Sequence, residues 1–262
     1  MKLGTYHTHT TMCDGKNTAE EMVQEAIKLG LSEIGFSGHA PMEIPCSWEL
    51  KDTKEYVKTI LELKEKYKSK IKIYLGIEQD YYSKPYDYDY DYVIGSVHYV
   101  YKNGDYLPVD TSVQAFKEFI HTHYNDDVYG YCEDYYKLVA DVYRKTKCNI
   151  IGHFDLVTKF NEKLPMIDTS NERYVKAVND ALDVLLKAPA IFEVNTGAIS
   201  RGYRTKPYPE EFILDKIAKS EKKLVINSDT HSVDSIQCKY SDVVDELDKK
   251  GYYYIKGLEE IL

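Results

Sequence analysis

The sequence lacks any run approaching the ~20 apolar residues that a membrane-spanning helix needs. It also lacks a linker rich in Gly, Pro or Ser, and a repeat of fixed period. Cysteine is sparse: five residues lie far apart without a Cys-x-x-Cys pair, which predicts reduced thiols instead of a disulfide framework. No apolar run follows Lys2, so we expect no signal peptide and a soluble, cytoplasmic protein.

Positive charge is scarce as well, with 34 Lys and Arg against 43 Asp and Glu and a net charge of −9. Non-specific binding to nucleic acid or to anionic membranes depends on clustered basic residues, so the sequence argues against both partners. Hydrophobic residues make up 43% of the chain, which excludes disorder of the whole chain. A length of 262 residues allows one large α/β domain.

Short apolar segments alternate with longer amphipathic ones. Thr18 and Glu21 have the spacing of a capping box and predict a helix that stops at Gly30. Further helices are predicted from Asp52, over 113–147 with a break near Asn125, and over 171–187, 210–219 and 242–250. Strands are predicted at 3–6, 33–37, 71–77, 92–97, 149–152, 190–194 and 224–227. This alternation predicts parallel pairing and an α/β fold, and seven strands favour closure into a barrel.

One low-complexity segment, residues 85–92, alternates tyrosine with aspartate. We interpret it as an acidic, aromatic loop leading into the strand that begins at Tyr92. A tyrosine of this loop that contacts substrate is the less favoured alternative.

Histidine placement is the most informative pattern in the chain. Six of the eight histidines and two carboxylates fall at or near the carboxyl ends of predicted strands, and they are His7, His9, His39, His98, His153, His231, Glu78 and Asp229. In a barrel of parallel strands these ends meet at one mouth, so the set predicts a metal cluster. Imidazole together with carboxylate suits Zn, Mn or Fe better than Mg or Ca. His121 and His123 lie in a helical pattern, face apart and are predicted as non-ligands.

These segments resemble the motif series of the PHP (polymerase and histidinol phosphatase) superfamily. The series comprises His7-Thr8-His9 with Asp14-Gly15, Gly38-His39, Gly76-Ile77-Glu78, Gly95-Ser96-Val97-His98, Gly152-His153-Phe154-Asp155 and Ser228-Asp229-Thr230-His231. A further segment, 193–197, followed by Arg201, Arg204 and residues 207–209, resembles the histidinol-phosphate phosphatase branch. The match runs from the first strand to the last helix.

The resemblance implies a TIM-like, distorted seven-stranded parallel (β/α)7 barrel with three divalent metal ions. We expect one PHP phosphoesterase domain over 1–262, with a helical insertion around 112–147. The first metal would be held by His7, His9, Glu78 and Asp229, the second by Glu78, His98 and His153, and the third by Asp14, His39 and His231.

The implied activity is hydrolysis of L-histidinol phosphate to L-histidinol and phosphate in histidine biosynthesis, by attack of a metal-bound hydroxide on phosphorus. Glu78 would bridge two metals, and Arg201 and Arg204 would grip the phosphate, since a guanidinium matches phosphate oxygens bidentately. The proton for the leaving alkoxide is assigned to Asp229, His231 or metal-bound water, without a choice among them.

Several acidic and aromatic groups are candidates for contacting the substrate's amine and imidazole, and they are Glu193, Asp155, Asp80 and the segment 85–92.

Two other functions remain as alternatives. One keeps the metal site and changes the substrate to another small phosphate ester, such as a nucleotide or sugar phosphate, or to phosphotyrosine. The other is a non-catalytic metal-binding or interaction module, which is disfavoured because all nine ligand positions are filled. The oligomeric state is not predicted.

Overall fold

The computed structural model of the protein describes residues 3–86 and 88–262. Its strands are β1 Glu33–Phe36, β2 Lys72–Asp80, β3 Tyr92–Ser96, β4 Tyr99–Lys102, β5 Asp105–Pro108, β6 Ile150–Ile151, β7 Ile191–Asn195 and β8 Leu224–Asn227. Its α-helices are α1 Ala19–Lys28, α2 Thr53–Tyr67, α3 Val113–Tyr124, α4 Val128–Thr146, α5 Glu172–Leu185, α6 Gly197–Ser200, α7 Glu211–Lys219 and α8 Tyr240–Lys250. No helix in the described part of the chain is long and apolar enough to cross a membrane.

Six strands form one parallel sheet in the order β1-β2-β3-β6-β7-β8. The N-terminal segment lies against both edges of this sheet: Thr5 bridges Ile34 on β1, and Thr8 bridges Thr230 just beyond β8. The backbone bond from His9 to Thr230, 2.9 Å, continues the second contact. The predicted α/β barrel is therefore confirmed. The strand predicted over 3–6, however, pairs through isolated bridges and is not a regular strand of the sheet.

Capping residues place the helices where the sequence predicts them. The Thr18 hydroxyl accepts a hydrogen bond from the Glu21 N–H, and the Glu21 carboxylate accepts one from the Thr18 backbone N–H, which completes the predicted capping box. Asp52 caps α2 through the Glu55 N–H. The long helical pattern divides as expected, because Asn125 adopts a left-handed conformation with φ 51° and ends α3.

An antiparallel hairpin, not predicted from sequence, is formed by β4 and β5. Its turn is Asn103-Gly104, with φ of 52° and 96°, which is the sequence signal for a tight hairpin turn. Within the segment around 112–147, α4 packs against α5 and β3 and connects β3 to its parallel neighbour β6. It thus occupies the place of a crossover helix of the barrel, while the hairpin and α3 are the added elements.

Side chains inside the barrel change character along its axis. Near the amino ends of the strands they are aromatic or aliphatic, including Tyr6, Tyr74 and Tyr92. The Tyr92 hydroxyl donates to the carbonyls of Tyr6, at 2.5 Å, and Phe36, at 3.2 Å. A Cβ at Gly76 would overlap the Tyr92 ring, so glycine at that position makes room for it. Near the carboxyl ends the interior is polar, and the functional site lies there.

Candidate metal centre

All nine side chains predicted as metal ligands converge at the carboxyl ends of the barrel strands. Eight of them are at least partly buried, and Asp14 is exposed at the rim. Above them lies a cavity of about 320 Å³. Six of the nine line this cavity, and they are Asp14, His39, His98, His153, Asp229 and His231.

Glu78 lies at the centre of the cluster, at the end of β2. Its Oε1 accepts a hydrogen bond from the Ser96 hydroxyl, 2.6 Å, and lies 3.1 Å from His153 Nε2. Its Oε2 faces His39 Nδ1 at 2.8 Å and His7 Nε2 at 3.2 Å. Burial alone would raise the pKa of Glu78, but the surrounding histidine charges hold that pKa well below its usual range. The carboxylate is therefore ionised and shared by several ligand positions.

Three buried atoms face one another here without hydrogen bonds among the described residues: His7 Nε2, His9 Nε2 and Glu78 Oε2. Buried polar atoms are normally paired, so each unpaired one needs an explanation. The three atoms lie within 4.8 Å of one another, a separation that one ion bound between them can span. Two histidine nitrogens and a carboxylate oxygen are typical ligands of zinc and related transition metals. The residues thus fit the predicted divalent ion.

A second group of possible ligands lies at the rim of the cavity. Asp14 is 3.6 Å from His39 Nε2 through Oδ1 and 3.3 Å from His231 Nε2 through Oδ2. Together with His9 these residues form a set whose ligand atoms lie within 4.8 Å. Further sets combine His7 with His153 and Asp229, and Glu78 with His39 and His98. The structure therefore brings the predicted ligands together, although His9, His39 and His153 also fit sets other than their predicted ones.

Two buried carboxylates orient the histidines from behind. Glu193 Oε1 lies 2.7 Å from His7 Nδ1, and its Oε2 accepts the backbone N–H of His153 at 2.8 Å. Asp80 Oδ2 lies 3.1 Å from His98 Nδ1. Each contact leaves the Nε2 atom of its histidine for the cluster, as carboxylates behind metal-bound histidines commonly do. The structure thus gives Glu193 and Asp80 a histidine-orienting position, and neither of them lines the cavity.

Two carboxylates, Glu78 and Asp80, set the pKa of His98. Burial alone would lower the pKa of His98, but Glu78 and Asp80 outweigh burial and raise it to about 9. His9 has the opposite balance. Burial, reinforced by the neighbouring His231 and His39, lowers the pKa of His9 to about 3. Neutral imidazole is the form that binds a metal, so His9 is prepared for binding and His98 must lose a proton.

Asp229 and Arg201 form a unit at the mouth. Asp229 adopts a left-handed conformation with φ 46°, which aspartate tolerates better than most residues. Arg201 contacts Asp229 Oδ2 at 2.9 Å and donates to the Asp229 carbonyl at 3.0 Å. With its proton on Nδ1, His231 donates to that same carbonyl, 3.0 Å away. Arg201 and His231 both line the cavity beside the cluster.

Arg204 lies elsewhere. It lines a separate cavity, is buried, and donates to the Thr158 hydroxyl. Its guanidinium is 4.0 Å from Asp155 Oδ2 and 4.5 Å above the Tyr208 ring. These contacts give no support to the prediction that Arg204 binds phosphate. Asp155 is likewise buried beneath the site instead of facing its cavity.

Five cavity-lining residues were missed from sequence, and they are Trp48, Asp110, Thr111, Leu156 and Lys159. Lys159 is almost fully buried and lies 2.9 Å from Asp110 Oδ2. Burial alone would raise the pKa of Asp110, but the Lys159 charge lowers it to about 2. The sequence signal for these residues was weak. Lys159 lies six residues after His153, and Asp110 lies two residues after the hairpin that the sequence did not reveal. Only these positions relate the two residues to the barrel mouth.

The two remaining histidines lie away from the cluster. His121 is exposed and faces Asp126 at 3.1 Å, and His123 lies 3.9 Å from Asp105. Of the segment 85–92, residues 85, 86 and 88–91 are irregular and precede β3, Tyr92 begins β3, and Asp87 lies outside the described residues. None of the described residues of this segment lines the cavity described above.

A parallel barrel with a histidine and carboxylate cluster at its carboxyl end defines a class of metal-dependent hydrolase folds. The family model of the PHP domain matches residues 5–197, and the chain belongs to that family. The Deinococcus radiodurans protein named "Probable histidinol-phosphatase" is 29% identical over 94% of this chain and 92% of its own. The Bacillus subtilis histidinol-phosphatase is 28% identical over 89% of this chain and 95% of its own.

Solved structures agree with the fold. The crystal structure of histidinol phosphate phosphatase from Lactococcus lactis has a TM-score of 0.75 and 21% identity, covering 97% of this chain and 95% of that one. That protein was crystallised with zinc, L-histidinol and phosphate. At this identity the likeness shows the barrel fold of the present chain.

Proposed function

We propose that this protein is a metal-dependent phosphomonoesterase that hydrolyses L-histidinol phosphate to L-histidinol and phosphate in histidine biosynthesis. The observation that carries the proposal is the buried cluster in which His7 Nε2, His9 Nε2 and Glu78 Oε2 face one another without hydrogen bonds. The histidinol-phosphatase names of its relatives and the ligands of the Lactococcus lactis structure support the choice of substrate.

Three divalent ions, Zn, Mn or Fe, are proposed as the cofactor. When bound, such ions supply an activated water at neutral pH and neutralise charge on phosphoryl oxygens. His7, His9, Glu78 and Asp229 would hold the first ion, Glu78, His98 and His153 the second, and Asp14, His39 and His231 the third.

The chain's own groups would act in distinct ways. Glu78 is fixed by the Ser96 hydroxyl and holds its other oxygen toward the cluster, so it sets the spacing of the ligand groups. Asp229 faces His9 through Oδ1, 3.4 Å, and Arg201 through Oδ2, so both of its oxygens are engaged and it is a poor proton donor. His231 lies at the open side of the cavity, but its Nδ1–H is taken by the Asp229 carbonyl and its Nε2 is assigned to an ion, so it too has no free proton for the leaving alkoxide.

Phosphate recognition is assigned first to Arg201, which lines the cavity beside the cluster and is partly exposed there. Lys159 adds a second positive charge to the cavity wall. Arg204 holds Asp155 and Thr158 and would support the site from below instead of touching phosphate.

The functional unit is proposed to be one PHP phosphoesterase domain over 1–262. We also place the protein in the cytoplasm, because its five cysteines are free thiols and suit a reducing compartment.

The test is phosphate release by the metal-loaded protein from L-histidinol phosphate and from a panel of a nucleotide, a sugar phosphate and phosphotyrosine. We expect kcat/KM for L-histidinol phosphate to exceed that for each other ester. Metal content measured on the same sample distinguishes a wrong substrate from a protein without its ions. Faster hydrolysis of another ester by fully loaded protein would overturn the substrate assignment.

A further inference from the structure

One aromatic residue, Trp48, forms part of the cavity wall beside the metal cluster. Trp48 is the one tryptophan of the sequence, and it is only partly buried although it packs against the site. Among the residues that line the cavity, Trp48 and Leu156 are the apolar ones. The rest are polar or charged, so the cavity offers a single limited surface for an uncharged, flat part of a ligand.

The indole ring lies directly beside two of the predicted ligands. Its centroid is 4.3 Å from the His39 ring and 5.3 Å from the His98 ring, both in edge-on arrangements. The Tyr99 ring stacks on it at 6.1 Å with an interplanar angle of 15°. Trp48 therefore lies beside two predicted metal ligands on the wall of the same cavity.

The loop that carries Trp48 is held at both of its ends. At one end, the Ala40 N–H donates to the Glu78 carbonyl at 2.9 Å, and at the other the Leu50 N–H donates to the His39 carbonyl at 2.8 Å. In the middle, the Glu43 N–H donates to Tyr82 of the neighbouring loop. A side chain held on a pinned loop is preorganised and contributes to recognition without a large ordering cost.

We propose that Trp48 is the specificity-determining residue for the organic half of the substrate, with its indole packing against the imidazole ring while the phosphate lies on the cluster. This inference rests on the proposed function and adds the residue that selects the leaving group. Aromatic rings prefer offset-stacked or edge-on contacts at centroid separations of about 4.5–7 Å. The Asp110 carboxylate, which pairs with Lys159 through Oδ2, lines the same cavity.

The first test compares two substrates that differ only in the ring: L-histidinol phosphate and 2-aminopropyl phosphate. For Trp48→Leu we expect kcat/KM for the ring-bearing ester to fall by about tenfold or more, since a lost hydrophobic pocket contact is worth about 10–200-fold. The ring-less ester should change by less than about twofold. Trp48→Phe should keep most of the preference, and Tyr253→Leu, at an exposed aromatic residue far along the chain, should leave both values unchanged.

Equal losses on both esters would overturn the proposal, because they would mean that Trp48 only supports His39 and His98. Failure of the proposed function has a different signature, namely that the wild-type protein does not prefer L-histidinol phosphate over 2-aminopropyl phosphate at all.

A second measurement uses Trp48 as its own reporter. Because the chain has one tryptophan, its fluorescence reports on this wall alone. L-histidinol added to the metal-loaded protein should change the emission saturably, whereas 2-aminopropanol should not. An emission that stays constant at L-histidinol concentrations that inhibit the enzyme would contradict the proposal.

Discussion

The two ends of the barrel interior are built from the same strands but hold opposite kinds of side chain. On β7, Ile191 belongs to the apolar cluster, and Glu193, two residues on, orients the histidines. β8 repeats this with Val225 and Asn227, and the Asn227 amide donates to Glu193. Positions that face inward thus change from apolar to polar within about 7 Å along each strand.

This difference separates stability from function. The amino end buries apolar rings and methyl groups, which is the main favourable contribution to folding. The carboxyl end buries charges, and each buried ion costs several kcal/mol unless it is paired. The polar end is therefore maintained for its chemistry, at a stability cost that the apolar end and bound ions offset.

The largest effect on activity should come from Glu78→Gln at the polar end. The change preserves shape but removes the central charge, so we expect phosphatase kcat/KM to fall by about a thousandfold, equal to about 4 kcal/mol of transition-state stabilisation. Metal content should fall in the same sample. Glu65→Gln, at an exposed helical glutamate, is the matched control and should behave as wild type. Near-normal turnover of the Glu78 variant would refute the central role of this carboxylate.

At the apolar end, Tyr92→Ala should lower the free energy of unfolding by about 3–5 kcal/mol, since it removes a fully buried ring. Tyr92→Phe keeps the ring but leaves two carbonyls without their donor, and should cost about 1–3 kcal/mol. Tyr101→Ala, at an exposed ring, is the control. Denaturant unfolding of the metal-free proteins measures the free energy of unfolding of all three variants. A Tyr92→Ala variant as stable as the control would contradict the stabilising role of the amino end.

A smaller effect is expected behind the cluster. Asp80→Asn keeps the size of the side chain that contacts His98 but removes its charge, and should lower metal affinity or kcat/KM by about 10–100-fold. His121→Ala removes a histidine that faces only Asp126 at the surface and serves as the control. Metal titration of the two variants checks this, and equal affinities would mean that Asp80 is not an orienting residue.

The smallest effect concerns the pH dependence at Asp110. Its folded pKa of about 2 is below the unfolded value of 3.8, so the group stabilises the fold above pH 3.8, and this contribution is lost as the pH falls toward 2. The side chain is about one-third exposed, so we expect only about 1 kcal/mol. Unfolding of metal-free wild type and Asp110→Asn should therefore differ at pH 5 and converge near pH 2. A difference that grows on acidification would contradict the assignment.

The sequence predicted most of the ligand set because each member directly follows an apolar strand, and parallel strands bring such ends together. His7, Glu78 and His98 were found in this way. The N-terminal segment, predicted as a strand over 3–6, is less regular than expected, because its pairing depends on closure of the whole sheet. Glu193 and Asp80 could be named as acidic residues near the site, but only the folded backbone shows which histidine each one contacts.

Residues recruited by long-range packing were harder to find. Arg201 and Arg204 are three residues apart in the same loop, yet one lines the cavity and the other is buried against Asp155. Trp48 reaches the site because its loop is fixed by backbone bonds to β2 and its neighbouring loop. No local pattern distinguishes these outcomes, since they depend on the shape of the surrounding barrel.

The most direct test of the account is a titration of the metal-free protein with Zn²⁺ while phosphate release from L-histidinol phosphate is followed. We expect no measurable release in the presence of a strong chelator, and activity that rises with added metal until the cluster is filled. Full activity in the chelator would contradict the assignment of this histidine and carboxylate cluster as a catalytic metal centre.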